Sequence, residues 1–179
     1  MRVKRAFWLS VLLAASAAPL VAADVVRVTS LARDGRVWVS FELSDGYTPE
    51  VRDAVHSGLP TTFTYAIEIR RSVPFWPDHT LAATTIAVTV TYDTLTRRHQ
   101  LSRALDGHID ANRVTEDETD VQRWLTVFDR LPLFATSNLE ANTEYYVRVR
   151  AQTQPHDSWF LWPLDRGLVS ANANFTFIP

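Results

Sequence analysis

Residues 61–71 read TTFTYAIEIRR, and their alternation is unbroken: Phe63, Tyr65, Ile67 and Ile69 fall on one side, Thr64, Ala66, Glu68 and Arg70 on the other. A second run, TIAVTVTYDTL at 85–95, sets Ile86, Val88, Val90 and Tyr92 against Thr85, Ala87, Thr89 and Thr91. A period of two belongs to the β-strand, whose successive side chains leave opposite faces. Threonine and charge on the second face suit a strand with one side in water, as in antiparallel sheets. Long strands with a single dry face need a second layer to cover them, so the chain is restricted to layered, β-rich folds.

The punctuation between strands agrees. VVRVTSLARDGRVWVSFEL holds two alternating runs around Asp34-Gly35, a dipeptide suited to a tight hairpin turn. Val37, Val39, Phe41 and Leu43 share one face there, with Trp38 on the other. TRRHQLSRALDG reads as a return strand ending in a second Asp-Gly turn at Asp106-Gly107. LEANTEYYVRVRA, residues 139–151, places Tyr145, Val147, Val149 and Ala151 inward and Tyr146, Arg148 and Arg150 outward. Arg148 and Arg150 are expected to pair with Glu68 on a neighbouring strand as a solvated charge ladder. The spacing from Leu139 to Tyr145 resembles the tyrosine corner of fibronectin type III domains, whose hydroxyl ties a turn to the backbone. ANFTFIP closes the chain as a last strand.

Two short helices interrupt this pattern. TPEVRDAVHSG carries Thr48 as N-cap, Pro49 at the first helical position, Glu50 at the positive dipole end and Gly58 as the stop, with Val51, Ala54 and Val55 as a narrow apolar stripe. Thr115-Glu116-Asp117-Glu118 has the form of a capping box, in which Thr115 accepts an amide bond and Glu118 reaches back. Val121, Trp124, Leu125 and Phe128 follow at helical spacing, so an amphipathic helix is expected to end before Leu131-Pro132. The expected architecture is all-β or β-rich: an antiparallel β-sandwich of about eight strands with two short amphipathic helices. An α+β sheet with both helices on one face is the alternative.

The N-terminus reads as an export signal. Arg2, Lys4 and Arg5 precede an apolar run from Ala6 to Ala22, and small residues lead to Ala23. That form predicts a signal peptide over residues 1–23 with cleavage near Ala23, a single domain over 24–179, and a periplasmic or secreted location. The run is shorter than the roughly 20 apolar residues that span a bilayer, so no stable membrane insertion is expected after cleavage. The sequence holds no cysteine, so no disulfide adds to packing. Without the three N-terminal cations, 20 acidic residues outnumber the basic ones, all arginine, by about five, which disfavours a nucleic-acid partner.

Motifs that carry chemistry are missing. There is no Gly-x-Ser-x-Gly elbow, no phosphate-cradling glycine loop, and His56, His79, His99, His108 and His156 are scattered singly, each read as a surface or turn residue. No catalytic residue, metal or cofactor is expected, and a non-enzymatic role follows; hydrolysis by converging acids is a third reading. Two aromatic clusters remain, Phe75-Trp76 in VPFWPD and the Trp159 to Trp162 stretch in SWFLWPLDR. Burial or partial burial beneath the connections is expected of both. Exposed together, Phe75, Trp76, Trp159 and Trp162 would make a docking patch, or a stacking platform for sugars.

TYDTLTRRHQLSRALDG, the acidic helix with Trp124, LEANTEYYVRVRA, WFLWP and the terminal FTFIP together resemble one bacterial family, domain-of-unknown-function family forty-three-ninety. Members are small exported proteins, often encoded beside a membrane sensor histidine kinase of the nitrogen-regulation type. The resemblance implies a cell-envelope setting, with that kinase or another envelope protein as partner. It carries no activity and no catalytic residues. The leading expectation is therefore a protein-binding or accessory module for envelope signalling, and the alternative is a small-ligand or glycan binder using the loop tryptophans.

Overall fold

The computed structural model describes residues 26–155 and 169–179. Nine strands and two α-helices alternate along them: β1 Val26–Arg33, β2 Arg36–Leu43, α1 Pro49–His56, β3 Thr61–Arg71, β4 His79–Asp93, β5 Arg98–Leu105, β6 His108–Thr115, α2 Glu118–Thr126, β7 Val127–Ala135, β8 Thr143–Pro155 and β9 Val169–Phe177. All strand pairs are antiparallel, in a three-stranded sheet β1-β2-β7 and a six-stranded sheet β6-β5-β4-β3-β8-β9. The expected signal peptide, residues 1–23, lies outside the described residues.

Alternation translates directly into layering. Val37, Val39, Phe41 and Leu43 of β2 are buried, as are Phe63, Tyr65, Ile67 and Ile69 of β3, Ile86, Val88 and Val90 of β4, and Tyr145, Val147, Val149 and Ala151 of β8. These inward faces form one core, into which α1 inserts Val55 and α2 inserts Val121 and Leu125. Phe41, Tyr65 and Phe128 meet at its centre, with ring centroids 4.4–5.0 Å apart. The outer face of the larger sheet carries the polar half of each alternation, including a Thr62–Thr89 hydroxyl contact of 2.9 Å across β3 and β4.

Turn chemistry falls where it was read. Asp34 and Gly35 both take positive φ, 52° and 73°, and Asp106 and Gly107 repeat this at 48° and 83°, the left-handed pair that a two-residue hairpin demands. Thr48 caps α1 by accepting from the Val51 amide at 3.4 Å. The tyrosine corner is present: the Glu140 amide donates to the Tyr145 hydroxyl at 2.8 Å.

Three expectations are corrected. The capping box does not form, because Thr115 is still extended on β6, paired with His99. Asp117 caps α2 instead, accepting from the Thr119 amide at 2.8 Å, while Thr115 accepts from the Asp117 amide just ahead of the helix. The helix also stops earlier than its apolar spacing suggested, at Thr126, and Phe128 belongs to β7, where it stands opposite Phe41. Leu131-Pro132 continues that strand. Pro132 is tolerated because β7 is the edge of its sheet and its register against β2 breaks beside the proline. Finally, His99 is not a surface histidine: it alternates in phase with Leu101 on β5 and is only 3% exposed.

Candidate functional site

The connection between β3 and β4 is short and tightly held. Asp78 accepts hydrogen bonds from Ser72 Oγ and from the Tyr146 hydroxyl of β8, and its carbonyl accepts from Arg70 Nη2 at 2.8 Å. The Tyr146 hydroxyl, ahead of Ser72, holds the Asp78 carboxyl below its ordinary pKa, so it stays an acceptor. At the tip the Trp76 amide donates to the Val73 carbonyl at 3.2 Å, closing a turn with Pro74 and Phe75 at its centre. Pro74 suits the second position of a type II turn, but the third requires positive φ and normally takes glycine. Phe75 occupies it at φ 66°.

A bulky residue in that region costs on the order of 1–3 kcal/mol and persists only where its surroundings enforce it. Here the strained residue is also fully exposed, Phe75 at 105% and Trp76 at 75%. The expected burial of this pair is thus overturned: the loop is too short, and too firmly tied through Asp78, to fold its aromatics back onto the sheet. Trp159 and Trp162 lie outside the described residues.

Behind the tip the outer face of β3 and β8 carries a compact charge cluster. Arg148 Nη2 donates to Glu68 Oε2 at 2.7 Å, Arg150 Nη2 donates to Oε1, and Arg70 Nε lies 3.9 Å from Oε2. The pairing expected between Glu68 and the two β8 arginines is therefore present, but not as a solvated ladder, since the Glu68 side chain is only 12% exposed; Arg70 is a third cation that the strand pattern alone did not single out. Burial raises the Glu68 pKa, but the hydrogen bond and charge of Arg148, with Arg150 and Arg70 adding, carry it below 4.5 overall. Beside the cluster a shallow depression of about 500 Å³ is lined by Ser72, Asp78, Glu144, Tyr146, Asn172 and Asn174.

A second group of titratable residues sits where α1, α2 and β5 meet. Glu118 accepts from the Tyr47 hydroxyl at 3.3 Å and lies 3.9 Å from Arg52 and 3.8 Å from His56. Burial, with Glu118 adding, pushes the Tyr47 hydroxyl up to about 12. His99 lies against Tyr92 in a tilted contact and edge-on to His56, centroids 4.7 and 5.9 Å away, and neither of its ring nitrogens meets hydrogen-bond geometry with a partner. Among the described residues no three His, Asp or Glu side chains are placed to share a metal ion.

Burial and then the adjacent His56 press the His99 pKa below 6.5, against weaker upward pulls from the Thr115 carbonyl and Glu118. The folded state therefore keeps His99 neutral to a lower pH than the unfolded chain, which takes up a proton near the ordinary value. Stability should be level above about pH 6.5, fall as pH drops from there to the depressed folded value, and flatten below it. Urea midpoints at pH 7.5, 6.5 and 5.5 check this, and the fall should be shallower in His99→Phe. Identical profiles for the two proteins would refute the assignment.

A family model described as Domain of unknown function (DUF4390) matches residues 22–157. The chain belongs to this family. The DUF4390 match takes in β1 through β8, and with them the β3–β4 tip, the Glu68 cluster and the Glu118 group. It ends before Trp159, Trp162 and β9, so the WFLWP and FTFIP stretches stand beyond it. No curated protein and no solved structure matches the chain.

Proposed function

We propose that this DUF4390 chain is an exported, non-enzymatic accessory module of the bacterial cell envelope that binds a protein partner through the β3–β4 tip. One observation carries the reading: Phe75 is held in a glycine-type conformation while it and Trp76 stand in water. Strain kept at an exposed aromatic pair is what a preorganised docking residue looks like, because large rigid rings anchor interfaces at small entropic cost. The signal-like N-terminus supports export, and no helix of the described residues is long and apolar enough to cross a membrane. Both carboxylates on this face are engaged by neighbours, Glu68 by Arg148 and Arg150 and Asp78 by Tyr146 and Ser72, which supports a structural role for them. The membrane sensor histidine kinase implied by the family resemblance is the first partner to test.

Phe75→Gly separates fold from function. Glycine takes the positive φ without strain, so the variant should unfold at higher urea, by about 1 kcal/mol. Its affinity for the extracytoplasmic domain of the sensor, measured by interferometry, should nevertheless fall at least about tenfold, and further with Trp76→Ala. Undiminished binding by the double variant would remove the tip from the interface. The polar depression lined by Ser72, Asp78, Asn172 and Asn174, two of them in the β3–β4 connection that also carries Trp76, favours a glycan as the second reading; quenching of tryptophan fluorescence by cell-wall sugars, lost in Trp76→Ala, would then replace the kinase result.

A further inference from the structure

The described strands leave four sheet edges, and three are guarded. β7 carries Pro132 within the strand, a residue with no amide to donate, which discourages strand addition. β1 and β9, the outer strands of the two sheets, lie against each other. The fourth edge is β6, HIDANRVT, which pairs only with β5, has no proline or lysine, and shows Ile109 at 67% and Val114 at 59% exposure.

Its register is the telling feature. Arg103 stands opposite Ala111 and Ala104 opposite Ile109, so Asp110 is passed over as a bulge. A regular strand would put residues 109 and 114 on opposite faces. The bulge instead turns Ile109 onto the outer face with Asn112 and Val114, which stand opposite Ala104, Ser102 and Gln100. Two apolar side chains, one towards each end of an open edge strand, thereby come to share one face.

We propose that β6 pairs antiparallel with β6 of a second copy, about a two-fold axis through Asn112. A two-fold perpendicular to a sheet preserves its faces, so only residues of the same face can stand opposite each other. Asn112 then meets its own counterpart, and Ala111 meets the partner's Arg113. Beyond the bulges, Val114 meets the partner's Ile109, and symmetry repeats that contact at the other end. The charges agree with this direction. Reversal brings Arg113 towards the partner's Asp110, whereas parallel stacking sets like on like. Each of these is already neutralised within its own chain, Arg113 by Asp120 at 2.8 Å and Asp110 by Arg103 at 2.9 Å, so pairing strands no bare charge. The six-stranded sheet becomes continuous across two molecules.

The absence of native cysteine makes the register directly readable. Directly opposed residues of an antiparallel pair lie about 4.5–5.5 Å apart at Cα, within disulfide reach. Purified Asn112→Cys protein, oxidised mildly at tens of micromolar, should cross-link to a dimer at least about tenfold faster than Gln100→Cys, which lies on the same face one strand inward. Ile109→Lys added to Asn112→Cys should slow that cross-linking at least about tenfold, and light scattering of the cysteine-free protein should show mass rising with concentration. Circular dichroism confirms that each variant is folded. Equal cross-linking of the two cysteine variants, indifference to Ile109→Lys, or a monomer mass at every concentration would each overturn the pairing.

Discussion

Replacing Tyr65 by alanine is expected to remove about 4 kcal/mol from the unfolding free energy, the upper part of the range for truncating a buried aromatic ring. The ring is fully buried, with centroids 5.0 Å from Phe41 and 4.9 Å from Phe128, and its hydroxyl donates to the Leu125 carbonyl at 2.6 Å. It therefore ties the large sheet to β2 and β7 of the smaller sheet and to the end of α2. That carbonyl belongs to the last turn of the helix, where no intrahelical amide remains to satisfy it. Tyr65→Phe isolates the polar part and should cost about 1–2 kcal/mol through the acceptor left unpaired. Burial raises the hydroxyl pKa well above the ordinary range, so it remains a donor throughout the accessible pH scale. Urea denaturation of both variants checks the partition. A loss below about 1.5 kcal/mol for Tyr65→Ala would mean the core collapses around the vacated space.

Glu68→Ala is the second large effect, expected at about 2–3 kcal/mol. Removing the carboxylate leaves Arg70, Arg148 and Arg150 side by side with no anion among them, and breaking a buried pair typically costs roughly 3–5 kcal/mol. The lower figure applies here because Arg150 is 36% exposed and can turn to water. Glu68→Gln, which keeps the shape but not the charge, should fall between wild type and alanine. Arg150→Ala should cost less than either, since it also relieves repulsion between cations. Because the folded carboxyl pKa lies below 4.5, the contribution is complete above that pH and is lost as pH falls through the depressed value, whereas the loss from His99 begins already below 6.5. If Glu68→Ala unfolds at the wild-type urea concentration, the cluster is a solvated ladder with no net contribution.

Period-two alternation made β2, β3, β4 and β8 legible, down to which side chains face the core, because in a strand the face is set by parity alone. Asp-Gly pairs and the Leu139–Tyr145 spacing were legible for a similar reason: each is a local arrangement whose physics is contained in a few adjacent residues. What escaped was decided by distant partners. Phe128 continues the apolar period of α2, but opposite Phe41 it gains a stacked ring contact at 4.4 Å, and the chain leaves the helix to make it. His99 was read as exposed because its type is commonly so, while its parity with Leu101 pointed inward. β6 shows almost no alternation, since a bulge at Asp110 breaks it and one of its edges is open. At the tip, VPFWPD drew attention through its rings. The positive φ of Phe75 was not readable, because Pro74 before it is equally at home in other turns.

The pairing of β3 with β8 also sets the order in which the molecule can assemble. Glu68 and Arg148 are separated by 80 positions, and Ser40 on β2 meets Arg130 on β7 across 90. Topologies dominated by such distant pairings fold in milliseconds to seconds rather than microseconds, since a long loop must close before any contact compensates its entropy. During synthesis β3 and β4 can form a hairpin early, yet one side of β3 stays open until Thr143 and the residues after it emerge. A chain stopped short of that point displays Phe63, Tyr65, Ile67 and Ile69 without their neighbours and is prone to clump. Completion is a late step that waits on the final third of the polypeptide.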